Sequence, residues 1–252
     1  MTFEVSRDRY DRFMGRYTER LAPQLVDAAE VGAGMRVLDV GCGPGGLTEV
    51  IADRVGVTGR VAGIDPSPPF VAACRAAVPA ADVREGTAEH LPWPDDAFQV
   101  TLSCLVIGFM QDPARGVAEM ARVTEPGGRV GACFWDVPRH RMLALAQQGI
   151  ASVRPDLDPH PPMVGTARDD IPSLMTAAGL SVEDAGELEV RVDYADFSDL
   201  WEPISRAPGP IGDALVQLSV AEQVQVERYL RAQLPVGPFE LSAFAWYAVA
   251  RV

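Results

Sequence analysis

The stretch Val37-Leu38-Asp39-Val40-Gly41-Cys42-Gly43-Pro44-Gly45-Gly46 decides the reading of this chain. A short apolar strand runs into a turn made almost wholly of glycine, and Leu47 to Val55 follows as a helix. Glycines at such a turn let the backbone pass close beneath a ligand and adopt conformations that a Cβ forbids. The helix N-terminus behind them offers unpaired N–H groups. Gly41, Gly43 and Gly46 also satisfy the GxGxxG dinucleotide fingerprint, with Asp65 about 20 residues on as a ribose acid. Asp39 separates the two readings. Beside a pyrophosphate, a strand carboxylate two places before the first glycine adds negative charge to a negative ligand. Beside a ligand bearing an ammonium group it is complementary, which favours an amino-acid-bearing cofactor over a nicotinamide one.

Outward from the turn the chain alternates strands and helices. Met35 to Val40, Arg60 to Ile64, Phe98 to Leu105 and Arg129 to Trp135 read as strands. Ser67 with Pro68, and Asp112 with Pro113, open helices by pairing a capping residue with a proline whose missing N–H is harmless there. The second helix runs towards Thr124, and Pro126-Gly127-Gly128 stops it. Repeated β-then-α units predict a parallel sheet with helices on both faces, the doubly wound α/β class.

The flanks are less regular. The first 30 residues read as two helical pieces, with Tyr10, Phe13, Met14 and Tyr17 on one helical face. That face is either a lid over the ligand or core packing. Residues 138–180 look helical around the proline-rich loop Pro155 to Pro162, and Ser181 to Tyr194 and Phe239 to Val252 have strand character. Between those strands, Ser219 and Glu222 form a capping box, preceded by a short amphipathic helix through Ile211, Leu215 and Leu218. The organisation expected is one domain over 1–252. Residues 1–30 form a helical cap, 35–135 the cofactor-binding core, and 196–236 a helical cover over the acceptor site.

Composition narrows the function. The 35 acidic and 22 basic residues leave a net charge of −13, which repels phosphate backbones and argues against a nucleic-acid substrate. No apolar run is long enough to span a bilayer, and Met1 to Phe13 has no apolar leader core, so a cytoplasmic protein without membrane association is expected. Cys42, Cys74, Cys104 and Cys133 are scattered with no CxxC pair, so neither a disulfide framework nor a metal site is expected. The sequence carries no signal for an oligomeric state.

Four segments together resemble class I S-adenosylmethionine-dependent methyltransferases, of the branch similar to quinone-biosynthesis and small-molecule enzymes. They are VLDVGCGPGG (37–46), GIDPSP (63–68), EGTAEHLPWPDDAFQV (85–100) and EMARVTEPGGRV (119–130). The resemblance implies a mostly parallel seven-stranded sheet with N-terminal helices and a helical insert near the C-terminus, and S-adenosylmethionine as cofactor. It places Asp39, Gly41, Cys42 and Gly43 at the cofactor's methionine side and Asp65 on the ribose hydroxyls. Pro66 and Ser67 would flank the adenine, and Thr87, Ala88 and Glu89 would read its edge. Cys104 and Leu105 would line the methyl group. Where this chain has Thr87 the family often has Asp, a stronger acceptor for the adenine amine.

The acceptor is expected to be a small, apolar or aromatic molecule. Phe197, Leu200, Trp201 and Ile204 would line its site at helical spacing, with Trp135 and Asp136 at the mouth of the fifth strand. Transfer from a sulfonium needs alignment more than acid–base help. The candidates for a base are His140, Asp136 and Tyr17, although His140 reads better as a surface residue. Tyr17 is also expected at the cofactor's carboxylate end. His90 and His160 are not assigned roles. Ser67-Pro68-Pro69-Phe70 imitates a base-gripping motif that belongs after the fourth strand, and follows the second here. Two alternatives stay open: a nicotinamide-dependent oxidoreductase, and a non-catalytic module that binds S-adenosylmethionine.

Overall fold

A computed structural model describes residues 7–159 and 162–252. The chain enters through α1 (Arg7–Tyr10), a π-helical turn (Asp11–Gly15) and α2 (Arg16–Ala28), one almost continuous helical run in place of the two pieces expected. Then follow β1 (Arg36–Val40), α3 (Gly46–Val55), β2 (Arg60–Asp65), α4 (Pro68–Ala77), β3 (Asp82–Glu85) and β4 (Phe98–Cys104). The second half holds α5 (Pro113–Val123), β5 (Thr124–Trp135), α6 (Arg141–Val153), α7 (Asp170–Ala177) and β6 (Ser181–Tyr194). It closes with α8 (Phe197–Ser205), α9 (Pro210–Val216), α10 (Val220–Ala232) and β7 (Phe239–Arg251). The strands make one seven-stranded sheet in the order β3-β2-β1-β4-β5-β7-β6. Only β7 runs antiparallel to its neighbours. The order reverses between β1 and β4, the crevice where doubly wound sheets bind ligands.

Strand alternation decides which side chains meet which helices. In β1, Val37 packs into the core beneath α2 and α3 with Leu21, Leu25 and Ile51. Leu38 and Val40 join Val117, Met120, Ile171 and Met175 under α5 and α7. Asp39, on the same face as Val37, is thereby aimed at the first turn of α3.

Two differences from the sequence reading have local causes. The strand β3 has four residues, too few to show a period, and nothing in the sequence located it. Strand β5 begins at Thr124 opposite Phe98, and Pro126-Gly127-Gly128 lies inside it, where the pairing register slips. Elsewhere the expected caps form. Asp112 accepts from the Arg115 N–H at 3.0 Å, and the Ser219–Glu222 box closes in both directions. Ser67 occupies the N-cap position of α4 without a cap bond from its side chain.

The segments at 85–100 and 119–130 are joined by a half-buried ion pair. Glu119 takes both a 2.8 Å bond from Arg122 and the Leu91 N–H at 3.0 Å. Arg122 donates in turn to the carbonyls of Leu91 and Trp93 and to Asp95. The guanidinium, followed by burial working the other way and the Leu91 N–H, leaves the Glu119 carboxyl below its ordinary pKa. This clamp holds the Leu-Pro-Trp-Pro loop against α5. Arg122→Ala strands the Glu119 charge and frees two carbonyls, so it is expected to destabilise the protein by about 2–4 kcal/mol. A lowered urea midpoint would register the loss; an unchanged midpoint would contradict the clamp.

Candidate active site

One cavity of about 260 Å³ opens at the carboxyl ends of β1, β2, β3, β4 and β5. Its floor is the glycine turn. Gly41 and Gly43 have φ of +77° and +52°, and a Cβ at Gly41 would stand 2.3 Å from a Val106 methyl carbon. The turn is tied to the next strand by Asp65. That carboxylate accepts the Gly43 N–H through Oδ2 and the Ser67 N–H through Oδ1, each at 2.9 Å. Burial raises the Asp65 pKa, and the two N–H bonds oppose the rise. Leu105, at the exit of β4, adopts a left-handed φ of +64° and still lines the cavity. A non-glycine residue held there marks a position that the surroundings over-determine.

Asp39 lies beneath the turn, 1% exposed. The Thr48 hydroxyl donates to its Oδ2 at 2.6 Å, while its buried Oδ1 has no partner among the described residues. Burial, opposed by the Thr48 bond and reinforced by the charge of Asp65, pushes the Asp39 carboxyl up to about 7. The result is a proton-holding acid with one unused acceptor under a backbone that lacks side chains. Asp39 itself does not line the cavity: it stands one layer below, under Gly41 and Gly43. Thr48 was not anticipated as a partner, although its place in the first turn after the glycines is its signal.

Of the anticipated cofactor residues, Gly41, Gly43, Asp65, Pro66, Ser67, Thr87, Ala88, Glu89, Cys104 and Leu105 all line the cavity. Glu89 is also a brace. It accepts the Gln111 N–H at 2.8 Å and the Asp112 N–H at 3.2 Å, joining the loop after β3 to the loop after β4. Burial would raise its pKa, but backbone N–H groups and Thr87 together hold it below the ordinary value. Cys42 is a correction: its side chain turns away from the cavity and packs with Val71, Cys74 and Val83.

Tyr17, His140 and Asp136 are corrections too, because none of the three reaches the cavity. The π turn advances less rotation per residue than an α-helix. Tyr10, Phe13 and Met14 therefore point into the cavity while Tyr17 swings into the core, its hydroxyl 2.8 Å from that of Tyr194. His140 is wholly buried between Tyr17 and Trp135, with ring centroids 4.5 and 4.6 Å away, and its side chain caps α6. Asp136 caps the turn Val137–Arg139. His160 lies outside the described residues.

The far half of the cavity is apolar. Phe13, Met14, Phe109, Phe134, Trp135, Val137, Leu143 and Met163 supply it, closed by Pro208, Pro210 and Ile211. Pro208 was missed because the link before α9 has no periodicity, and Ile211 was read as part of a short amphipathic helix and not as cavity wall. The anticipated Phe197, Leu200 and Ile204 are buried in the main core instead, and Trp201 stacks on Phe197 at 6.3 Å. Phe70, from the imitation motif, lines the cofactor half and meets the Tyr10 ring edge-on at 5.4 Å.

Comparisons with known proteins bear on the family and the fold. A family described as a methyltransferase domain matches residues 38–132. An uncharacterized protein of Mycobacterium tuberculosis is 32% identical over 220 residues, 82% of this chain and 78% of that protein. A probable S-adenosylmethionine-dependent methyltransferase of Mycolicibacterium smegmatis is 42% identical over 96 residues, 38% of this chain and 36% of that one. The solved structure of the YcgJ protein from Bacillus subtilis superposes with a TM-score of 0.60 at 19% identity, covering 93% of this chain and 97% of that one.

The raised Asp39 acid predicts a pH signature. Its ordinary pKa is 3.8 and its folded one about 7. Between those values the folded chain keeps a proton that the unfolded chain has released, so stability falls as pH rises through that window and levels off above it. Asp39→Asn removes this contribution. Relative to the variant, the wild-type thermal midpoint is expected to fall from about pH 5 to about pH 7. A pH-independent difference would contradict the assignment.

Proposed function

This chain belongs to the class I S-adenosylmethionine-dependent methyltransferases, and from that premise we propose that it methylates a small, largely apolar or aromatic molecule. The observation that carries the acceptor class is the division of one cavity into a polar cradle and an apolar half.

The cofactor supplies a methyl group on a positively charged sulfur that leaves as a neutral thioether. The chain's own residues have to bind, orient and keep water out. In this reading Asp39 and Asp65 bracket the glycine turn, the first set for an ammonium group and the second for ribose hydroxyls. A carboxylate that already accepts two N–H bonds keeps lone pairs for further donors. Gly41 and Gly43 leave room for close backbone approach. Ala88 and Glu89 border the base, with Thr87 as a neutral acceptor. Cys104 and Leu105 sit where the cradle meets the apolar half, the place for the methyl group. The Cys104 thiol stays protonated, raised first by its contact with Cys133 and then by burial.

Phe109, Phe134 and Trp135 exclude water around the acceptor and hold it against that junction. Alignment of this kind supplies up to about 7–11 kcal/mol of the barrier reduction. Tyr10 lines the cavity beside Phe13 and Met14, but burial raises its phenol pKa and keeps it protonated, so no ready base faces the acceptor among the described residues. This supports an acceptor that presents its nucleophile without a proton for the chain to remove. The net charge of −13 supports a partner other than nucleic acid.

The test uses S-adenosylmethionine carrying a labelled methyl group, offered with apolar aromatic compounds, with RNA and with protein. Label is expected in the small molecules, and Phe109→Glu is expected to lower transfer by at least about tenfold by placing a charge in the apolar half. Cofactor affinity should stay within about threefold of wild type. Label found only in RNA or protein would overturn the acceptor class.

A further inference from the structure

The N-terminal helical run and α8 are joined by a ladder with matching spacing. Arg9, Arg12 and Arg16 face the Arg206 carbonyl, Glu202 and Asp199 in reverse order. Arg9 Nε donates to the Arg206 carbonyl. Arg12 Nη2 lies 2.8 Å from Glu202, and Arg16 Nη2 lies 3.3 Å from both Asp199 oxygens. The Arg16 guanidinium also lies over the Tyr194 ring, 4.6 Å from its centroid.

The two elements that the ladder joins lead into walls of the same cavity. The helical run contributes Tyr10, Phe13 and Met14, and the segment after α8 contributes Pro208 from the link with Pro210 and Ile211 from the start of α9. Their anchorage is uneven. Beyond the ladder, α2 is pinned by Leu21, Leu25 and Val26, all fully buried. Before it, α1 buries no residue, and the π turn buries only Phe13 and Gly15. The π turn is an intrinsically uncommon helical form that concentrates at functional sites. On the other side, the link bends at Gly209, with φ of +75°, between two prolines. The Arg12–Glu202 rung is 59% exposed at both side chains. Exposed pairs of this sort are weak and screened by salt.

We propose that this ladder is the latch of a two-part lid: Arg12, Arg16, Glu202 and Asp199 are positioning residues that hold the N-terminal helical run and the segment after α8 closed over the mouth of the cavity. The demethylated product leaves when the rungs part. Because the rungs touch neither the cradle carboxylates nor the apolar wall, they act on exchange and not on methyl transfer. The inference rests on the cavity being the cofactor site.

The test measures release of S-adenosylhomocysteine by stopped-flow tryptophan fluorescence, with Trp135 in the cavity wall as one reporter. Arg12→Glu and Glu202→Arg are each expected to speed release about three- to tenfold, and the double swap to restore a rate near wild type. Raising NaCl from about 0.05 to about 0.5 M should speed wild-type release and slow the single variants, whose like charges at 12 and 202 it screens, so that the rates converge. Restoration by the double swap is a readout that mere loss of a surface contact does not produce. If the wild type binds S-adenosylhomocysteine but all four proteins release it alike, or the double swap is as fast as the singles, the latch is overturned and the cofactor site stands. If the wild type binds none, the cofactor site falls and the latch with it.

Discussion

The Asp65 carboxylate, bonded at 2.9 Å to the N–H groups of Gly43 and Ser67, ties the glycine turn after β1 to the end of β2. Gly41 and Cys42 donate to the Ile64 carbonyl at 2.8 and 3.0 Å, and the Asp65 side chain carries that tie onward to Gly43 and Ser67. Around that tie the parallel strands bring four further loops to one edge of the sheet. Glu89 and the Glu119–Arg122 pair then brace those loops against each other. The floor of the cavity is thus rigid because acidic side chains take up backbone N–H groups that would otherwise be unpaired. Two of these acids, Asp65 and Glu89, also line the cavity.

Asp39 shows how strand alternation becomes chemistry. Placed one residue earlier or later, it would face α5 and α7 among apolar side chains. At its actual position it meets Thr48, and its second oxygen keeps an acceptor unused by the protein. A buried acid with a pKa of about 7 is stabilising only with its proton or with a cation beside it. In the reading proposed above, that acid suits a cationic ligand better than a pyrophosphate.

Much of the cofactor half was legible in the sequence because its determinants are local. Gly41 tolerates no Cβ beside Val106, Asp112 caps its own helix, and Asp65 closes a turn within a few residues of its own position. What the sequence hid depends on distant contacts or on geometry that a regular helix lacks. Tyr17 was misplaced because a wheel of 3.6 residues per turn ignores the π turn that precedes it. His140 reads as a surface residue until Tyr17 and Trp135 are seen to enclose it. The stripe Phe197, Leu200 and Ile204 signalled burial correctly, yet periodicity cannot say whether a buried face meets the core or a ligand. Pro208 stands in an irregular link with no pattern to read, and the apolar stripe that starts at Ile211 marks a helix without saying that its first turn lines the cavity.

The central claim is that two carboxylates on either side of a glycine bend hold the two ends of S-adenosylmethionine. Its most direct test is a calorimetric titration of that cofactor into the wild type and into Asp65→Ala, with folding of both verified by circular dichroism. Removing a charged hydrogen-bond acceptor is worth about 1.5–3 kcal/mol, so affinity is expected to fall by at least about tenfold. A folded Asp65→Ala protein that binds the cofactor as tightly as wild type would contradict the account.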